Sequence, residues 1–211
     1  MSTLFVLLCH PYSKSFNHAV AARVRERLAA LGHELLFHDL YAEGFDPVLS
    51  QSELRRRFSL DELVQVHYRN IERSEGLIVI HPEWWSQPPA MLKGWIDRVL
   101  GPGIGYEFEG EEFMAKSRVP LLGGKRALVL ATTDSQGAAK AGAGSSSALT
   151  GGEPLLSALW RETLAYCGIV DFHFRMLLDV RGAGASERLE WIEETAALAC
   201  ELFPEATPPT L

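Results

Sequence analysis

Apolar and polar positions along this chain alternate between two rhythms. Continuous apolar runs at Leu4–Cys9 and Gly76–His81, with a third strand-like segment at Arg126–Thr132, have the length and composition of strands buried on both faces. Between them the apolar positions recur every three or four residues. From Asn17 to Leu31 they fall at Ala19, Val20, Val24, Leu28 and Leu31, with Gly32 as a stop, which predicts an amphipathic helix. The same rhythm predicts helices over Asp61–Arg73, Ala90–Leu100, Glu153–Cys167 and Ser186–Leu202. Two further strands are expected, at Glu34–Leu40 and within Ile169–Leu178. The stretch around Asp46-Pro47 reads as a polar connection, and Tyr106 and Phe108, on alternate positions, suit a hairpin edge.

Strands alternating with helices predict an α/β sheet, mostly parallel, because a helical crossover joins parallel neighbours. In such sheets ligands bind beyond the carboxyl ends of the strands, where the strand order reverses. The loops after Cys9, His81, Thr132 and Leu178 are therefore where a site is expected. Two of the connections, Gly101–Ser117 and the Gly/Ala/Ser-rich Thr133–Gly152, are long, and long loops at that end of a sheet often carry function.

Composition narrows the classes. The 211 residues are 47% hydrophobic and 22% charged, as in an ordinary globular protein, and predict one domain over residues 1–211 with 203–211 as a tail. Lys and Arg number 20 against 27 Asp and Glu, a net charge of −7. No basic face for a phosphate backbone is expected, so nucleic acid is not an expected partner. The apolar runs fall far short of the roughly 20 residues that cross a bilayer, so an integral membrane protein is not expected. The N-terminus has no basic leader and Pro11 closes its apolar stretch, so no signal peptide is expected. Cys9, Cys167 and Cys200 form neither a disulfide framework nor a CxxC, which points to a reducing cytoplasm. The seven histidines show no HExxH and no ligand-like clustering, so no metal is expected.

The chemistry-bearing residues gather in the loops already singled out. His10-Pro11-Tyr12-Ser13-Lys14-Ser15-Phe16-Asn17 runs straight into a helix and contains neither GxGxxG nor a P-loop. A hydroxyl-rich turn with a lysine at a helix start can hold a phosphate; equally, Ser15 or Asn17 can simply cap the helix. After the third strand, Pro82-Glu83-Trp84-Trp85-Ser86-Gln87-Pro88-Pro89 places two indoles between prolines. Prolines fix the backbone and indoles offer flat apolar surface, an arrangement suited to a planar ring with polar edges. Thr132-Thr133-Asp134 ends the fourth strand with hydroxyls. There is no GxSxG elbow and no convincing Cys/His pair, so the chemistry is expected to belong to a cofactor.

Taken in order, these residues resemble the flavodoxin-like NAD(P)H:quinone oxidoreductases, the DT-diaphorase type and its bacterial relatives. The resemblance rests on His10 with Ser15-Phe16-Asn17, Asp39-Leu40-Tyr41-Ala42 with Phe45-Asp46-Pro47, Pro82-x-Trp84-Trp85, Pro89-x-x-Leu92-Lys93-Gly94-Trp95, Tyr106 and Thr132-Thr133, and runs from Leu4 to about Leu202. It implies a three-layer fold with a five-stranded parallel sheet in the order 2-1-3-4-5, and a homodimer. It also implies a flavin near each subunit contact, FAD in preference to FMN, and NADH or NADPH as hydride donor. By ping-pong exchange, a quinone or similar small acceptor would then take two electrons.

On that resemblance His10, Ser15, Phe16 and Asn17 would hold the phosphate part. Pro82, Glu83, Trp84, Trp85 and Ser86 would line the isoalloxazine, with Thr132, Thr133, Asp134 and Ser135 along another edge. Glu187 and Arg188 would meet the adenosine end. Tyr106 and Phe108 would cover the substrate from the neighbouring subunit. The chain departs from the family's pattern after the Thr-Thr pair. Asp134-Ser135 replace Gly-Gly, the family's charge-relay Tyr and His are missing from Thr133–Gly152, and Thr150 stands near the histidine's place. That assigns a catalytic part to Tyr106 and Thr150. Glu83 stands where the family has an apolar residue. Two other functions share this fold class: a flavodoxin-type electron carrier, and a regulatory subunit of a potassium efflux system.

Overall fold

In the computed structural model, residues 1–109, 117–135 and 153–205 are described. β1 (Thr3–Leu8), β2 (Glu34–Asp39) and β3 (Gly76–Pro82) alternate with α1 (Phe16–Ala30), α2 (Gln51–Arg56), α3 (Glu62–Arg73) and α4 (Ala90–Val99). A hairpin of β4 (Tyr106–Glu109) and β5 (Ser117–Pro120) follows, and then β6 (Arg126–Thr132), α5 (Leu155–Tyr166), β7 (Asp171–Leu177) and α6 (Ala185–Leu202). The main sheet has five strands, ordered β2-β1-β3-β6-β7, and every pairing in it is parallel. Counting only the strands of that sheet, this is the expected 2-1-3-4-5. The hairpin stands apart as an antiparallel pair, with Tyr106 opposite Pro120 and Phe108 opposite Arg118.

Strand alternation divides the core cleanly into two layers. Phe5, Leu7, Leu77, Val79, Ala127 and Val129 face α3, α4 and α5, where Ile71, Trp95 and Trp160 fill the space. Leu4, Val6, Leu8, Ile78, Ile80, Leu128 and Leu130 face α1 and α6 through Val20, Val24, Leu28, Ala196 and Ala199. Because both faces are covered, β1, β3 and β6 read as unbroken apolar runs.

One element departs from the expected connection at Asp46-Pro47, since α2 forms within it. Ser50 accepts the Glu53 backbone N–H at 3.2 Å, and the Glu53 carboxylate accepts the Ser50 N–H at 2.8 Å, a closed capping box. The Arg98 guanidinium then ties the segment down from α4, donating to Glu53 Oε1 at 2.6 Å with both side chains nearly buried. Desolvation raises the Glu53 carboxyl, but its hydrogen bonds to Ser59, the Ser50 backbone and Arg98 outweigh that and hold it down to about 2. Gly94 lets α4 approach the same segment, because a β-carbon there would lie 2.2 Å from the Pro47 carbonyl oxygen. Among the described residues, no helix is long and apolar enough to cross a membrane.

Candidate functional site

Three loops meet at the carboxyl ends of β1, β3 and β6 around a cleft of about 1020 Å³. That is the size of a cofactor site, for which roughly 300–1,000 Å³ is usual. From the loop after β1 come His10, Tyr12, Lys14, Ser15, Phe16 and Asn17. The end of β3 and the loop after it supply Pro82, Glu83, Trp84 and Trp85, and the end of β6 supplies Thr132, Thr133, Asp134 and Ser135. Arg188, Val180 and Arg181 close one side.

The α1 end of the cleft is built from a helix start. Ser15 is the N-cap and its side chain accepts the His18 backbone N–H. It does cap the helix, and it faces the cleft as well. Asn17 is buried and donates from Nδ2 to Thr132 Oγ1 at 2.9 Å, linking the loops after β1 and β6, while its Oδ1 has no partner. A buried acceptor left unpaired costs roughly 1–3 kcal/mol, so this oxygen, at a cleft wall, suits a ligand hydroxyl or N–H. His10 Nδ1 accepts the Tyr12 N–H at 3.0 Å. Burial lowers the His10 pKa.

The loop after β3 is a tight turn. Trp84 and Gln87 exchange backbone hydrogen bonds at 3.0 Å in both directions, and the two residues between them, Trp85 and Ser86, have φ of 57° and 60°. Left-handed backbone at both central positions normally calls for Asn-Gly, and a non-glycine residue held there costs on the order of 1–3 kcal/mol. The Glu83 carboxylate steadies the turn by accepting the Ser86 N–H, and its backbone N–H donates to Thr132 O at 2.7 Å. The result is a Trp85 side chain that is 97% exposed beside the cleft, with Trp84 at 43%. Neither indole is core.

Behind the turn sits His81, wholly buried. An indole N–H can only donate, so Trp160 Nε1 at 2.9 Å fixes His81 Nε2 as acceptor, and Nδ1 carries the proton it donates to Pro82 O at 2.8 Å. Desolvation brings this histidine down to about 4. It holds the Pro82 carbonyl where the cleft wall begins.

Thirteen of the residues expected at a cofactor line the cleft; Ser86 and Glu187 do not. Ser86 acts through its backbone, and Glu187 is exposed in the first turn of α6. The Arg188 guanidinium donates to Val180 O and Ala183 O at 3.2 and 2.8 Å, bracing the loop before α6. Tyr106 and Phe108 lie on the hairpin, outside the cleft lining, in an aromatic cluster with Tyr166, at centroid distances of 5.4 and 4.8 Å from Tyr106. Thr150 is outside the described residues. Tyr12, Val180 and Arg181 line the cleft without a sequence signal of their own.

The fold also gathers histidines that show no ligand-like clustering in sequence. His38, Glu43 and His67 present nitrogen and oxygen atoms within 4.8 Å of one another. His67 Nδ1 accepts Trp95 Nε1–H at 3.0 Å, so its Nε2–H donates to Glu43 Oε2 at 3.2 Å, and His38 Nδ1 lies 2.8 Å from Oε1. A cation on His67 Nε2 would move the proton to Nδ1, against the indole N–H. This donor set therefore favours hydrogen bonds over a metal.

Comparison with known proteins follows the same lines. A family model described as the flavodoxin-like fold matches residues 2–199. Among curated proteins, one of Haemophilus influenzae named as an uncharacterized NAD(P)H oxidoreductase is 34% identical over 110 residues, covering 51% of this chain and 54% of that protein. The guinea-pig NAD(P)H dehydrogenase (quinone) 1 is 28% identical over 122 residues, covering 49% of this chain and 44% of its own. The matched stretches thus span about half of each relative. Among solved structures, an NAD(P)H:quinone oxidoreductase from Methanothermobacter marburgensis superposes with a TM-score of 0.75 at 26% identity, over 98% of this chain and 99% of that one. With a five-stranded parallel sheet, a cleft at its carboxyl edge and a family match over almost its whole length, the chain belongs to the flavodoxin-like fold family.

Proposed function

We propose that this protein is a flavin-dependent NAD(P)H oxidoreductase that reduces quinones or similar small acceptors by two electrons, donor and acceptor using one site in turn. The observation that carries the reading is the cleft itself. It joins a helix start with hydroxyl and amide donors, a buried unpaired Asn17 Oδ1 and flat exposed indoles within one space of about 1020 Å³. Those residues fit a flavin nucleotide: donors for phosphate, an acceptor for a ribityl hydroxyl and a flat wall for a ring. The names of the curated relatives support the activity.

The bound flavin would supply the hydride chemistry, and the chain would bind, orient and exclude water. Ser15, Phe16 and Asn17, with His10, would hold the phosphate end. Pro82, Glu83, Trp84, Trp85, Ser86 and Thr132, Thr133, Asp134, Ser135 would flank the ring. FAD is favoured over FMN because Arg188 borders the cleft where an adenosine would extend, with Glu187 beside it in sequence. Tyr106 and Phe108 would reach a neighbouring chain's cleft, making the working form a homodimer of single-domain subunits in the cytoplasm. Thr150 would donate one neutral hydrogen bond near the acceptor.

Purified protein loaded with FAD or FMN, and then given NADH or NADPH without oxygen, tests this. Bleaching of the flavin band and its return on adding a quinone are expected. Bound flavin that neither nucleotide reduces would point to an electron carrier instead. Heat release and chromatography against both standards decides the cofactor, and FMN alone would refute the preference for FAD. Sedimentation as a monomer at micromolar concentration would refute the dimer.

A further inference from the structure

Ser15 has one proton to give, and a neutral His18 ring would take it. Ser15 Oγ accepts the His18 backbone N–H at 3.3 Å and lies 2.8 Å from Nδ1 of the same residue's ring. Across the ring, Nε2 lies 3.1 Å from Asp39 Oδ2, at the end of β2. The other Asp39 oxygen accepts the Tyr41 and Ala42 N–H groups at 3.1 and 3.2 Å. A carboxylate only accepts, so Nε2 carries the ring proton and Nδ1 is left as an acceptor, which the Ser15 O–H fills.

A second proton on the ring reverses this. Nδ1–H then donates to Ser15 Oγ, whose other lone pair already receives the His18 N–H. The hydroxyl proton must turn elsewhere, and Ser15 lines the cleft. An anion there needs a donor, not a lone pair.

We infer that His18, held by Asp39, sets the direction of the Ser15 hydroxyl proton, so that a flavin nucleotide's phosphate binds with uptake of one proton at His18. The inference rests on the flavin reading of the cleft. The groups facing His18 come from each neighbouring element. His10, from the end of β1, has its ring centroid 6.2 Å away. Lys14, Arg25 and Asp39 share a smaller depression with His18, between α1 and β2. The two cations oppose a further positive charge and Asp39 favours it. An arriving phosphate favours it too, since an opposite charge nearby stabilises the charged form. His18 touches no ligand in this scheme; it is a positioning residue acting through Ser15.

Calorimetric titration of the nucleotide-free protein with FMN, FAD and riboflavin, in buffers of different ionisation enthalpy between pH 7.5 and 8.5, counts the protons. That range lies above the second pKa of a phosphate monoester, about 6, so FMN itself contributes none. Net proton uptake is expected with FMN and FAD, and their affinity should fall as pH rises, by no more than about tenfold per pH unit. Riboflavin, which has no phosphate, should take up none. His18→Gln, which still offers an acceptor but has no ring to protonate, should abolish the uptake, and Asp39→Asn should reduce it. Nucleotide binding without proton uptake, or with the same pH dependence in wild type and His18→Gln, overturns the inference and leaves the flavin reading standing. Failure of all three ligands to bind overturns both.

Discussion

Two sets of histidines in this molecule differ in what their partners can do. On the face of the sheet covered by α3, α4 and α5, His67 and His81 are fully buried and each accepts a hydrogen bond from an indole, Trp95 and Trp160 respectively. An indole cannot accept, so a second proton on either ring would leave two donors face to face. On the cleft side, His18 meets the hydroxyl of Ser15, which both donates and accepts. The first set is locked into one tautomer and braces the structure. The second keeps its hydrogen bond whichever of the two groups donates. Partner chemistry, more than burial, separates a fixed brace from an adjustable contact.

The largest effect that would test the contrast is on stability against pH. The folded value of His81 is lowered to about 4 from 6.5, so the unfolded chain binds the proton first as pH falls. The His81 contribution is complete above pH 6.5 and is lost between 6.5 and 4, by about 3 kcal/mol. Urea unfolding of wild type and His81→Gln at pH 7.5, 5.5 and 4.5 checks this, and the variant should be flatter across that window. Below it a second loss is expected. Glu43 is held down to about 2 through its hydrogen bonds to His38 and His67, against desolvation. Its contribution is present above pH 4.5 and disappears as pH falls toward 2.

A smaller effect should follow from removing the indole donor. Trp160→Phe leaves His81 Nε2 unpaired in the core, and a loss of roughly 1–3 kcal/mol is expected at neutral pH, measured by the same unfolding curves. On the cleft side, Trp85→Ala should leave stability unchanged, because the residue is 97% exposed and alanine meets the same left-handed backbone. It should cost at least about tenfold in kcat/KM, or ~1.4 kcal/mol, through lost stacking. Smallest of all, Thr150→Ala should cost only a few-fold in steady-state turnover, as for one neutral hydrogen bond.

Much of the fold was legible because β1, β3 and β6 are buried on both faces and their apolar runs are short and unbroken. The order of the loops around the cleft followed from the parallel topology. α2 was missed because six mostly polar residues have no periodicity, although Ser50-Gln51-Ser52-Glu53 spells a capping box. Trp85 could be read as a flat surface, but its left-handed backbone is set by the Trp84–Gln87 pairing, which no composition reveals. The proton logic of His18 was hidden for a different reason. Asp39 lies 21 residues away in sequence and reaches it only across the β1–α1–β2 crossover. The same holds for His38 and His67, which meet through Glu43.

A cleft that carries hydride from NAD(P)H to an organic acceptor must let its flavin be reduced and reoxidised in turn. Anaerobic stopped-flow absorbance of the flavin-loaded protein, mixed first with NADH or NADPH and then with benzoquinone, tests it in one sequence. Loss of the oxidised flavin band is expected in the first mix, with its full return in the second and a slower first phase in Trp85→Ala. Flavin that binds in the cleft yet keeps its oxidised band with both nucleotides would contradict it.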